Sequence, residues 1–137
     1  MIGIVIVTHG ELGETLIATA GLIFGSRPDG VAAVSVDLEI DPEKLRKSIT
    51  AGIKSVDRRK GILILTDMFG GTPSNLAYSF LEEGQVEVLA GVNLPILIKA
   101  IDTRPDMQLG ELATALETFG RESISLASGV LKGNSGK

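Results

Sequence analysis

The chain opens on Ile2-Gly3-Ile4-Val5-Ile6-Val7, a continuous and largely β-branched apolar run that ends at His9-Gly10. A run with no polar alternation predicts a strand covered on both faces, as in a parallel sheet. Beyond it Leu12, Leu16, Ile17, Ala20, Ile23 and Phe24 fall on one helical stripe that Gly25 closes. Val31-Ala32-Ala33-Val34-Ser35-Val36 predicts a second strand. Asp41-Pro42-Glu43-Lys44 is a helix start, with an acid at the cap and proline in the first turn. Leu45, Ile49, Ile53 and Val56 carry that helix's apolar stripe. Arg58-Arg59-Lys60, read as a solvated turn, leads to the third strand, Ile62-Leu63-Ile64-Leu65-Thr66-Asp67.

Thr72-Pro73 opens a third helix carrying Leu76, Ala77, Phe80 and Leu81, and residues 86–91 form the fourth strand. Residues 93–101 predict a helix with Leu94, Leu97, Ile98 and Ile101 inward, its Pro95 fitting only the first turn. A further helix is expected over 109–119, a short last strand over 123–126, and a frayed tail over 132–137. Strands alternating with helices imply an α/β fold, a three-layer α/β/α sandwich with right-handed crossovers. Residues 1–131 read as one domain, without internal repeat or linker. The last strand, following a helix-rich stretch, could run antiparallel or pair with another chain.

Composition narrows the chemistry. At 137 residues, with 44% hydrophobic and 22% charged positions, the chain has the balance of a soluble globular domain. It has no cysteine and one histidine, which excludes disulfides, thiolate nucleophiles, and cysteine or three-histidine metal sites. Thirteen basic against seventeen acidic residues leave a net charge of −4, the wrong sign for a nucleic-acid groove. No apolar run approaches the roughly 18–20 residues of a membrane span, and Met1 to His9 lacks the basic flank of a signal peptide. A cytoplasmic location is the expectation.

In such sheets function gathers beyond the carboxyl ends of the strands, where strand order reverses. His9, at the end of the first strand, can offer an imidazole nitrogen as nucleophile, base or phosphoryl acceptor; otherwise it merely caps a loop. With a 2-1-3-4 strand order, Asp67 comes within reach of His9. A carboxylate accepting from Nδ1 fixes the tautomer and leaves the Nε2 lone pair outward; alternatively Asp67 caps its own turn. Gly70-Gly71-Thr72-Pro73 combines backbone freedom, a helix start and a hydroxyl, a candidate cradle for a phosphoryl group or else an ordinary strand-to-helix turn. Together the three suit transient phosphohistidine formation, for which no metal or cofactor is required when the donor is itself a phosphohistidine.

The segments Ile4-Val5-Ile6-Val7-Thr8-His9-Gly10, Asp67-Met68-Phe69-Gly70-Gly71-Thr72-Pro73-Ser74-Asn75 and Gly91-Val92-Asn93-Leu94-Pro95 resemble the enzyme IIA domains of the mannose family in the bacterial phosphoenolpyruvate-dependent sugar phosphotransferase system. The resemblance covers nearly the whole chain. It implies a mostly parallel five-stranded sheet, order 2-1-3-4-5, whose antiparallel last strand is exchanged between subunits of a homodimer. Exchange would also cover an otherwise open sheet edge. It further implies that His9 takes a phosphoryl group from the carrier HPr and passes it to a IIB domain or protein, so that the membrane enters only through transporter components. Asp67 matches the carboxylate partner of that histidine, and Thr72 a hydroxyl near the phosphoryl group, beside Gly70 and Gly71. Met68, Phe69, Pro73, Asn93, Leu94 and Pro95 are expected to border the cleft and meet partners, although helix initiation explains Asn93-Leu94-Pro95 equally well; Asn75 is expected to brace the loop. Two further readings stay open. One is a stand-alone regulatory phosphorelay protein whose partner binding depends on His9 phosphorylation. The other is a flavodoxin-like cofactor-binding module, against which stand the absence of Trp and a single Tyr78 inside a predicted helix.

Overall fold

The side chains of strand β1 (Gly3–His9) alternate into two separate cores, which is why the run is apolar throughout. Ile4 and Ile6 join Leu63 and Leu65 in one core, while Val5 and Val7 join Ile62 and Ile64 in the other. Burying each such side chain stabilises the fold by about 1.5–3 kcal/mol, so the middle of the sheet carries much of its stability. The structure, a computed structural model, describes residues 1–37, 39 and 41–133. Strands β2 (Val31–Val36), β3 (Ile62–Thr66) and β4 (Val86–Ala90) complete a parallel sheet of order β2-β1-β3-β4.

Helices α1 (Leu12–Phe24), α4 (Leu94–Thr103) and α5 (Leu109–Glu122) cover the face that holds Ile4 and Ile6. Helices α2 (Pro42–Val56) and α3 (Thr72–Tyr78) cover the opposite face. The predicted three layers are therefore present. Local chemistry sets the helix starts: Asp41 caps α2, and Asn93 caps α4 by accepting the Ile96 N–H at 2.8 Å. Among the described residues no helix is long and apolar enough to cross a membrane.

Several expectations are corrected. On α1 the buried residues are Gly13, Ile17 and Ala20, whereas Leu12, Ile23 and Phe24 are exposed. The small residue Gly13 lets the helix press on the sheet, since a Cβ there would stand 3.3 Å from Ile6 Cγ2, and this seating turns the bulkier residues outward. On α4 Ile96, Leu97 and Ala100 are buried, with Leu94, Ile98 and Ile101 only partly so. Leu81 lies beyond α3 and is exposed.

Residues 123–126 form no strand. Helix α5 runs on to Glu122, and a short helix α6 (Ala127–Leu131) follows. Among the described residues the sheet has four strands, all parallel, instead of the expected five with an antiparallel last member. A strand exists only through a paired neighbour; here Ile124 and Leu126 are 81% and 77% exposed, and every residue of the β4 edge is only partly covered. Of the expected tail, residues 134–137 lie outside the described residues.

At the amino end of β1 an unpredicted 3₁₀ turn, Arg104–Asp106, buries Arg104. Its guanidinium donates to the Ile2 and Gly30 carbonyls at 3.2 Å and to the Asp29 carbonyl, tying three segments together.

Candidate functional site

The chain leaves β1 for α1 on one face of the sheet and leaves β3 for α3 on the other, so a crevice opens between the carboxyl ends of these adjacent strands. His9 is the last residue of β1, and Asp67 directly follows β3. The parallel register sets Val7 beside Thr66, which brings His9 and Asp67 to one edge.

Asp67 Oδ2 accepts the His9 backbone N–H at 2.8 Å and faces His9 Nδ1 at 2.8 Å; Oδ1 accepts the Met68 N–H at 2.9 Å. Burial alone raises the carboxyl's pKa, but the His9 N–H, the His9 ring and the Met68 N–H together outweigh it and hold the group below its ordinary value. Asp67 is therefore an ionised acceptor, and a carboxylate that only accepts assigns the proton to Nδ1 and the lone pair to Nε2. The side chains are 39% and 12% exposed, so the imidazole is reachable while its partner is covered.

The glycine turn closes the other side of the ring. Gly70 adopts φ 89°, a left-handed conformation suited to glycine. Gly71 approaches so closely that a Cβ would stand 3.0 Å from His9 Cε1 and 3.5 Å from Nε2. Among the described residues the N–H groups of Gly71 and Thr72 donate to no protein acceptor, as expected at a helix start. The Gly70 N–H does not belong to that set, because it donates to Ser74 Oγ at 3.0 Å. Gly70 thus contributes conformation to the turn.

The outer residues divide. Met68 and Phe69 are exposed at the cleft, Phe69 by 77%, with its ring centroid 6.0 Å from that of Tyr78. Pro73 is buried in the first turn of α3 and presents no docking surface. Asn93 is occupied as the cap of α4 and also donates to Ser123 Oγ at 3.3 Å; Leu94 is half-buried and Pro95 exposed. Asn75 is exposed, and its side chain bonds none of the described residues. On the β2 side His9, Gly10, Glu11, Ser35, Val36 and Asp37 line an open cleft of about 520 Å³. A larger cavity of about 890 Å³ lies at the opposite edge, near Arg104, far from these groups.

Two hydroxyls had escaped sequence reasoning. Buried Thr8 accepts the Gly13 N–H at 2.9 Å and so caps α1, whose Glu11 makes no side-chain cap bond. Buried Ser74 bonds the glycine turn from inside α3. A hydroxyl just before a strand-end turn, or at the third position of a helix behind two glycines, was the available signal for each.

Known proteins resemble the chain over most of its length. The family model described as "PTS system fructose IIA component" matches residues 3–117. The fructose-specific EIIA component of Bacillus subtilis is 33% identical over 129 residues, 93% of this chain and 88% of that protein. The mannose-specific EIIAB component of Escherichia coli is 36% identical over 126 residues, 90% of this chain; the match spans only 38% of that longer protein. The solved structure of a phosphotransferase system EIIA component from Streptococcus agalactiae superposes with a TM-score of 0.83 at 27% identity, covering 93% of this chain and 98% of that one.

Proposed function

The chain belongs to the mannose-type IIA components of the sugar phosphotransferase system, which are phosphotransferases, and from that premise we propose that it is a phosphoryl carrier working through His9. The observation that carries the reading is the 2.8 Å contact between His9 Nδ1 and Asp67 Oδ2, which leaves Nε2 as the nucleophile. The flavodoxin-like reading has no ground left in this family.

In the first step the Nε2 lone pair attacks the phosphorus of a phosphohistidine donor, HPr in the family's relay. The new N–P bond forms as the donor's N–P bond breaks, and the bonding pair returns to the donor imidazole. The His9 ring then carries positive character, which the Asp67 carboxylate stabilises while it keeps the Nδ1 proton. The amides of Gly71 and Thr72 and the Thr72 hydroxyl offer neutral donors to the phosphoryl oxygens, and the two turns carry no lysine or arginine to trap the group. The same chemistry in reverse delivers it to a nucleophile of a IIB partner, the N–P bond to His9 breaking as the new bond forms. Met68 and Phe69 supply the exposed apolar rim against which donor and acceptor dock in turn.

A cytoplasmic location suits such partners, and the reading of residues 1–131 as one phosphotransferase domain is supported by the single sheet and by the family match over residues 3–117. A homodimer is supported by the partly covered β4 edge and by the exposure of Ile124 and Leu126, which exchange between two chains would cover.

Incubation with phosphoenolpyruvate, the first enzyme of the relay and HPr tests the central claim. The expected product is one acid-labile, base-stable phosphate per chain, absent in His9→Ala. Stoichiometric label that survives His9→Ala overturns the assignment.

A further inference from the structure

Ser74 is the third residue of α3, and its side chain is fully buried. Its hydroxyl accepts the Gly70 N–H at 3.0 Å and donates to the Gly71 carbonyl at 3.0 Å, closing the Gly70-Gly71 dipeptide into a ring. The helix start does not need this bridge: Pro73 already sets its first turn, and the Asn75 N–H reaches the Gly71 carbonyl directly at 3.0 Å. What Ser74 adds is the hold on Gly70, a residue outside the helix at φ 89°. Gly71, the other end of the bridged pair, lies against the Cε1–Nε2 side of His9.

We infer that Ser74 is a positioning residue, whose hydroxyl fixes the Gly70-Gly71 backbone against His9 Nε2 so that an incoming phosphoryl group meets nitrogen and turn in one geometry. The inference rests on the reading of His9 as phosphoryl acceptor. Without the bridge Gly70 regains the wide conformational range of glycine, and the turn wanders relative to the ring. A displacement of about 1 Å at such a place is enough to slow a transfer markedly without altering how a partner docks.

The test uses the full chain with Ser74→Ala and Ser74→Thr. Initial rates of labelling are measured against phospho-HPr concentration, and the His9 Cε1–H resonance is followed by NMR in unphosphorylated protein. Expected for Ser74→Ala is a kcat lower by about tenfold at unchanged KM, per folded molecule, with a shifted Cε1–H resonance. Ser74→Thr, which keeps the hydroxyl, restores kcat. A labelled Ser74→Ala with wild-type kcat overturns the role of Ser74 and leaves that of His9 intact. A fall in kcat that only tracks lost folded protein, and that Ser74→Thr does not restore, likewise overturns it. Should wild-type protein take no label, the reading of His9 fails instead; the NMR arm then decides Ser74 alone, and an unmoved resonance overturns it.

Discussion

The two ends of β1 each hold a nitrogen cation or potential cation, in opposite ways. At the carboxyl end the His9 ring meets a carboxylate and stays 39% exposed. At the amino end Arg104 is buried and held by three backbone carbonyls, and among the described residues it forms no ion pair. Burial, Asp29 and Arg58 act on the guanidinium, and burial and Arg58 prevail to lower its pKa, yet an arginine still remains protonated at any ordinary pH. One end has an imidazole nitrogen that can be reached; the other has a permanent charge enclosed by dipoles. Chemistry and clamping are thus divided between the ends of a single strand.

The sharpest way to break that division is to remove each nitrogen in turn. His9→Ala is expected to abolish phosphate labelling while the melting temperature shifts by only a few degrees, since one exposed-side hydrogen bond is worth about 1 kcal/mol. Arg104→Met should do the reverse. Gly30's carbonyl keeps the Ile4 N–H as a second partner, but the Ile2 carbonyl loses the guanidinium, a loss of roughly 1–3 kcal/mol. Label per folded molecule should be unchanged, as read from urea unfolding and a labelling assay on the same sample. An Arg104→Met protein that is stable but slow to label would show that the ends are not independent.

Asp67→Asn probes the titratable end by pH. The folded Asp67 carboxyl lies below its ordinary value of 3.8. Its contribution to stability is therefore complete above that value and is lost as pH falls through the lower folded one. Asparagine barely changes volume but cannot ionise; with its carbonyl oxygen facing His9, its NH2 group meets the Met68 N–H and cannot accept it. The expected stability gap of about 1–2 kcal/mol at pH 7 should close below pH 4, measured as the difference in urea midpoints. Transfer at pH 7 should fall on the order of 10²-fold. A gap that stays constant into acid would mean that the carboxylate charge does not stabilise the fold, whereas Arg104→Met should give a constant gap over the same range.

What could be read from residue order follows the same division. His9 and Asp67 were legible because apolar runs end at them, and a parallel 2-1-3-4 order brings those ends together. The glycine turn was legible because two glycines allow a close backbone approach and Thr72-Pro73 behind them marks a helix start. Arg104 was not, since a lone arginine after a helix looks solvated until the fold brings the Ile2 and Gly30 carbonyls around it. Ser74 and Thr8 were hidden for a related reason: a short hydroxyl bonds to backbone whose position only the packed structure defines. Residues 123–126 have the alternation of a strand, Ser-Ile-Ser-Leu, but alternation specifies a strand only where an edge is there to pair with it.

The finest contrast lies between two threonines near the carboxyl edge. Thr8 and Thr66 are both fully buried at the ends of neighbouring strands, yet Thr8 Oγ1 caps α1 while Thr66 Oγ1 has no partner among the described residues. Valine matches the shape of threonine without the hydroxyl, so the two substitutions should differ in sign. Thr8→Val orphans the Gly13 N–H and should destabilise by about 1 kcal/mol. Thr66→Val removes an uncompensated buried hydroxyl and should stabilise by about 1 kcal/mol, a rise of a few degrees in melting temperature. Label and kcat should be as in wild type for Thr66→Val, because its face of β3 ends one pleat short of the His9 ring. If Thr66→Val instead melts lower, its hydroxyl is bonded in solution, and the carboxyl edge holds one more built-in polar contact than the two strands display.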